Sequence, residues 1–245
     1  MLEQTVDIAT KDGKTTTFIA HPERGGPHPV VLFFMDAPAI REELRDMARR
    51  IATAGYYVML PNLYYRRGVL ELASLPPLPE AEARARMFDL MGSINIAMVM
   101  DDTDALLDFA GRDPAASPGP AAAIGYCMSG QYAINAAARH PKRIACAASL
   151  YGVQLVTDRP DSPHLAAQRT KAELYFACAE HDTYAPLEMV EALDASLKSA
   201  GANAEVEIYP GVHHGFAFPQ RPVYDKPAAE RHWERLLALF RRNLG

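Results

Sequence analysis

The sequence predicts an α/β fold, a mainly parallel central sheet with helices on both faces, on three observations. Strand-length apolar runs alternate with amphipathic helical segments along the chain. Several of those runs, PVVLFFM at 29–35 above all, are apolar at every position, the pattern of a strand buried on both faces. The 245 residues, 49% hydrophobic and 22% charged, form a globular composition that suits one domain over 1–245.

Residues 14–20, KTTTFIA, are rich in β-branched side chains and read as a strand. It pairs with another near 3–9 across Lys11-Asp12-Gly13, a hairpin turn signal. After the buried run at 29–35, the spacing of Leu44, Met47, Ala48 and Ile51 predicts a helix over 40–53 that Gly55 ends. YYVMLP (56–61) is the next strand. Residues 62–80 hold three prolines near their end and read as a lid-like excursion over the surface. Ile96, Val99, Met100, Leu106, Leu107 and Ala110 form an apolar stripe within a helical stretch over 81–110. A loop at 111–120 leads to the strand AAAIGY (121–126) and at once to a helix over 129–140. Strands at 144–152 and 172–180, a helix at 185–201 and a strand at 204–211 continue the alternation. A final helix at 225–243 carries Trp233, Leu236, Leu237 and Phe240 on one face.

Net charge is −5 and no Lys/Arg cluster occurs, so neither nucleic acid nor an anionic membrane surface is an expected partner. No apolar run reaches the roughly 18–20 residues that span a bilayer. The N-terminal MLEQTVDIATKDGK lacks the charged-then-apolar pattern of a secretory signal. Cys127, Cys146 and Cys178 are too few and too scattered for a disulfide framework or a zinc module. The expected address is the cytoplasm, where thiols stay reduced. The expected partner is a small molecule, met by a monomer or small homo-oligomer.

Functional groups in such a sheet gather at the carboxyl ends of the strands, and three segments there carry chemistry. Ile124-Gly125-Tyr126-Cys127-Met128-Ser129-Gly130 is a strand turning into a helix with small residues around a cysteine. It is a variant of the nucleophile elbow, with sulfur in place of the serine oxygen. The tight turn needs small neighbours, the helix N-terminus favours an anion at sulfur, and the Met128 N–H faces a developing oxyanion. An isolated cysteine is more often simply buried, as Cys146 and Cys178 read; the glycine pattern and the strand-to-helix switch favour a nucleophile at Cys127. Asp182, in Glu180-His181-Asp182, follows the 172–180 strand, where a carboxylate can orient an imidazolium, although a helix cap before Pro186 is the plainer use. His213 and His214 follow the last strand, where either could swing over the sheet end as a base. They lack neighbouring Cys or carboxylate ligands, so no metal is expected. The chain order nucleophile, acid, histidine is that of α/β-hydrolases.

On these pieces the chain resembles the dienelactone hydrolase family from about residue 5 to 243. The matching stretches are GYCMSG (125–130), Ala54-Gly55-Tyr56 with Pro61-Asn62-Leu63-Tyr64, Ser149-Leu150-Tyr151-Gly152, Glu180-His181-Asp182 with Pro186, and Tyr209-Pro210-Gly211 with His214-Gly215-Phe216. The resemblance implies Cys127 as nucleophile, His214 as base and Asp182 as its orienting acid. It also implies a thioester route for hydrolysing lactones or small esters, with neither metal nor organic cofactor. It places Asp36 where the family carries a glutamate that gates the nucleophile's ionisation, and gives the Ala37 N–H as second oxyanion donor beside Met128. Arg66 matches one arginine with which the family grips a substrate carboxylate, whereas Arg84 and Arg86 read as a solvated helix face. The family's other arginine falls at Phe218, which argues for a less polar ester or lactone. Tyr64 and Phe218 are the expected pocket aromatics. Two alternatives stand beside this reading: a general carboxylesterase or thioesterase with the same triad, and a non-catalytic or thiol redox-sensing relative.

Overall fold

The computed structural model describes residues 1–245, which form two compact units, 1–118 and 119–245. In the first, β1 (Leu2–Thr10) and β2 (Gly13–His21) make the expected antiparallel hairpin, with Thr10 opposite Gly13. β2 pairs antiparallel with β4 (Tyr57–Pro61), and β4 runs parallel to β3 (Val30–Phe34), giving the order β1-β2-β4-β3. Every residue of β3 and β4 is buried, as their unbroken apolar runs require. Helix α1 (Glu42–Thr53) lays Leu44, Met47, Ala48 and Ile51 against this sheet. Gly55 follows with φ 108°, a backbone conformation that glycine supplies without strain.

One expectation changes here. The stretch read as one helix over 81–110 is two, α2 (Glu80–Gly92) and α3 (Ile96–Ala110). The break falls after Gly92, and the Asn95 side chain accepts the Met98 N–H at 3.0 Å to restart the helix. Residues 62–80 are anchored at their start, because Asn62, Leu63 and Tyr64 are buried. The Asn62 amide donates to the Val69 carbonyl and accepts from the Tyr64 N–H, both at 2.9 Å, closing the segment on itself.

In the second unit, β5 (Ala121–Tyr126), β6 (Ile144–Leu150), β7 (Glu173–His181) and β8 (Ala204–His213) lie parallel in sequence order. Small residues set the spacing: Ala121, Ala122 and Ala123 of β5, with Ala133, Ala136 and Ala137 of helix α4 (Gly130–Arg139), are all buried. α4 packs on β5 and β6, α6 (Leu187–Ser199) on β8, and α7 (Lys226–Leu244) on β5, β6 and β7. The five-residue α5 (Pro163–Ala167) has no counterpart in the sequence reading, being too short to show a helical period. β8 extends two residues beyond expectation and ends on His213. Four of the six strand pairings within the units are parallel, and the fold class is α/β as predicted. No helix is long and apolar enough to cross a membrane.

Candidate active site

The second unit places its sulfur on a strained bend. Cys127 follows β5 with φ 55°, a left-handed conformation that costs a non-glycine residue about 1–3 kcal/mol. The bend survives because its surroundings admit no alternative. A methyl on Gly125 would stand 2.0 Å from the Ser129 carbonyl oxygen, and one on Gly130 would stand 2.2 Å from the Ser149 hydroxyl. Val153 N–H bonds the Cys127 carbonyl at 3.2 Å and the Gln131 amide bonds that of Met128 at 3.0 Å, fixing the peptides after the bend. Cys127 is half-buried; Cys146 in β6 and Cys178 in β7 are buried, and burial pushes both thiols up, that of Cys178 to about 12.

Asp182 and His214 leave the adjacent ends of β7 and β8, and their contact is direct. His214 Nδ1 and Asp182 Oδ2 lie 2.7 Å apart, with the carboxylate side chain wholly buried and the imidazole 10% exposed. The other Asp182 oxygen accepts the N–H groups of Tyr184 and Ala185 at 2.8 and 3.0 Å. The expected helix-capping use of Asp182 is not realised, because α6 begins only at Leu187 with no side-chain cap; its second oxygen instead closes the turn at 182–185, which leaves the first for His214. His213, by contrast, is exposed and meets His181 with ring centroids 5.3 Å apart.

Burial alone would lower the His214 pKa. Hydrogen bonding to Asp182, hydrogen bonding to Cys127 and the charges of both outweigh it and lift the group from 6.5 to about 9. With Nδ1 on Asp182, the nitrogen offered to the sulfur is Nε2.

Rings that sequence reasoning missed surround the imidazole. Tyr151 and Tyr184 each meet it edge-on at 5.0 Å. Behind Tyr151 lie Tyr126, Phe216 and Phe218 at 5.8, 5.4 and 6.0 Å, and the Tyr126 hydroxyl reaches His232 Nε2 at 2.8 Å. Of the two rings on the imidazole itself, only Tyr151 had a prior signal, within the Ser-Leu-Tyr-Gly run. Phe218, expected as a pocket wall, has no exposed surface and packs among Tyr126 and Tyr151 under the Arg221 guanidinium.

The remaining candidates lie in the first unit. Asp36 is fully buried, and Arg41 grips both its oxygens at 2.6 and 3.2 Å while also reaching Glu43. Its carbonyl accepts the Ala39 N–H at 3.1 Å, so the Ala37 N–H, across the same trans peptide, points the opposite way. The Ala37 carbonyl accepts the hydroxyl of Tyr64, which is itself fully buried. Arg66 donates to both oxygens of Asp102 and to Asp12, each at 2.8 Å, and stacks on Tyr65. Those partners occupy its guanidinium face toward a carboxylate, so Arg66 sits in an ion-pair network of its own unit. Arg86 bonds the Pro76 carbonyl, and Arg84 lies over Phe88.

The sequence model of the dienelactone hydrolase family matches residues 15–244. Proteins named "Putative carboxymethylenebutenolidase" from Methylorubrum extorquens and Escherichia coli are each 28% identical over 240 residues, covering 96% of this chain and 79% and 84% of theirs. The crystal structure of a "Putative Dienelactone Hydrolase" from Klebsiella pneumoniae superposes with a TM-score of 0.87 at 26% identity, covering 98% of both chains.

Proposed function

The chain belongs to the dienelactone hydrolase family, and from that premise we propose that it hydrolyses a lactone or small carboxylic ester through Cys127, His214 and Asp182 by way of a thioester. The observation that carries this reading is the His214 imidazole, bonded to buried Asp182 through Nδ1 and coupled to Cys127 on its other side.

In the proposed cycle, His214 Nε2 takes the Cys127 thiol proton, the sulfur attacks the carbonyl carbon, and the resulting oxyanion is received by backbone N–H groups at the head of α4, Met128 among them. The carbonyl re-forms, the carbon–oxygen bond breaks, and the departing oxygen takes its proton from His214 Nε2. Two of the causes that raise the His214 pKa come from Cys127. Both vanish once the sulfur is acylated, so the imidazole becomes a competent base at the step that needs one. Neutral His214 then takes a proton from water, the hydroxide attacks the thioester, and sulfur leaves as thiolate.

Turnover of p-nitrophenyl acetate and of dienelactone by the wild type and Cys127→Ala tests the reading. A loss of at least about 1,000-fold in kcat is expected; full activity in the variant overturns it.

One observation favours the general carboxylesterase reading within the same machinery. The arginine expected to grip a substrate carboxylate, Arg66, is already bonded to Asp102 and Asp12. A preference for neutral esters over the anionic dienelactone supports that reading, and the reverse preference opposes it. A thiol sensor finds no support, because Cys146 and Cys178 are buried with raised pKa values.

A further inference from the structure

The two tyrosines on the His214 imidazole differ in what they can touch. Tyr151 is 1% exposed, its N–H held by the Ala177 carbonyl at 2.6 Å and its ring enclosed by Tyr126, Phe216 and Phe218. Tyr184 is 45% exposed, the only aromatic ring among the exposed large apolar side chains, and stands edge-on to the imidazole at 5.0 Å and 62°. Its root is rigid, because its N–H is bonded to the Asp182 oxygen that does not bond His214.

We propose that Tyr184 determines specificity on the leaving-group side, its exposed ring receiving a flat aromatic or unsaturated alcohol or enol as the acyl group passes to Cys127. This rests on the hydrolase reading above. Nδ1 of His214 is occupied by Asp182, so Nε2 alone can hand a proton to the departing oxygen. That oxygen must come within about 2.6–3.2 Å of Nε2. The group it carries therefore lies alongside the imidazole, where the one accessible ring is Tyr184. Aromatic rings meet flat π-systems edge-on or offset, a preference that corresponds to about 3–10-fold in binding beyond simple burial. A small saturated alcohol gains none of it.

The test compares phenyl acetate with ethyl acetate, which share an acyl group and differ only in what leaves, using kcat/KM because it reports the steps through acylation. Tyr184→Ala is expected to lower the phenyl-to-ethyl ratio of kcat/KM by about 3–10-fold, and Tyr184→Phe to keep the wild-type ratio. The rate of Cys127 alkylation by iodoacetamide is measured on the same proteins. A ratio unchanged in Tyr184→Ala, with both esters and alkylation falling together, assigns the ring to holding His214 and overturns the proposal. A wild type that hydrolyses neither these esters nor dienelactone defeats the hydrolase reading and this inference with it; turnover of dienelactone alone, or of both esters with no change in ratio, defeats this inference alone.

Discussion

His214 shows how far a residue's chemistry is set by neighbours remote in sequence. Its pKa of about 9 is the resultant of burial pulling down and of Asp182 and Cys127 pulling up. Removing the sulfur removes two of the upward causes, so Cys127→Ala is expected to lower the His214 pKa, read directly by NMR titration of the imidazole. The same shift has a stability consequence. A histidine whose pKa rises on folding contributes stability that is complete below its unfolded value near 6.5 and disappears as pH climbs through 9. The stability gap between the wild type and His214→Gln is therefore expected to narrow by up to about 3 kcal/mol between pH 6 and pH 9.5 in urea denaturation. A gap that stays constant across that range contradicts the pairing.

At the scale of elements, the turn from β5 into α4 does the positioning, and glycine is its requirement. A methyl at Gly125 would meet backbone rather than a movable side-chain tip, so the strand and the bend must separate to admit it. Gly125→Ala is expected to cost about 3 kcal/mol in urea denaturation and to reduce turnover more than its stability loss explains, since Cys127 is displaced. Gly-x-Cys-x-Ser-Gly was legible in the sequence because a bend this tight leaves its mark in residue size. Helix α3 was legible as a stripe over 96–110, but its separation from α2 was not, since only Gly92 and the Asn95 cap mark the break. Helix α5 was illegible, five residues being little more than one turn. The burial of 62–64 escaped because it depends on Asn62 bonding its own loop, in a stretch whose prolines read as surface.

At the scale of the molecule, long-range pairs decide roles that composition leaves open. Arg66 joins residues 62–80 to α3 through Asp102 and to the β1–β2 turn through Asp12. Asp102→Ala leaves a mostly buried guanidinium short of a partner and is expected to cost about 3 kcal/mol in urea denaturation. The dienelactone-to-phenyl-acetate ratio of kcat/KM should hold; a selective loss of dienelactone turnover would return Arg66 to a substrate-gripping role. The sequence by itself determined the α/β class, the strand order of events along the chain and the small-residue elbow at Cys127, because periodicity and residue size are local properties that the backbone reads directly. Only the tertiary structure decided that Asp182 divides its two oxygens between the 182–185 turn and His214, that Asp36 lies in the fork of Arg41, and that an exposed Tyr184 flanks the imidazole. Those are meetings of side chains at the ends of different elements, and no spacing along a chain encodes the angle at which two strands deliver them.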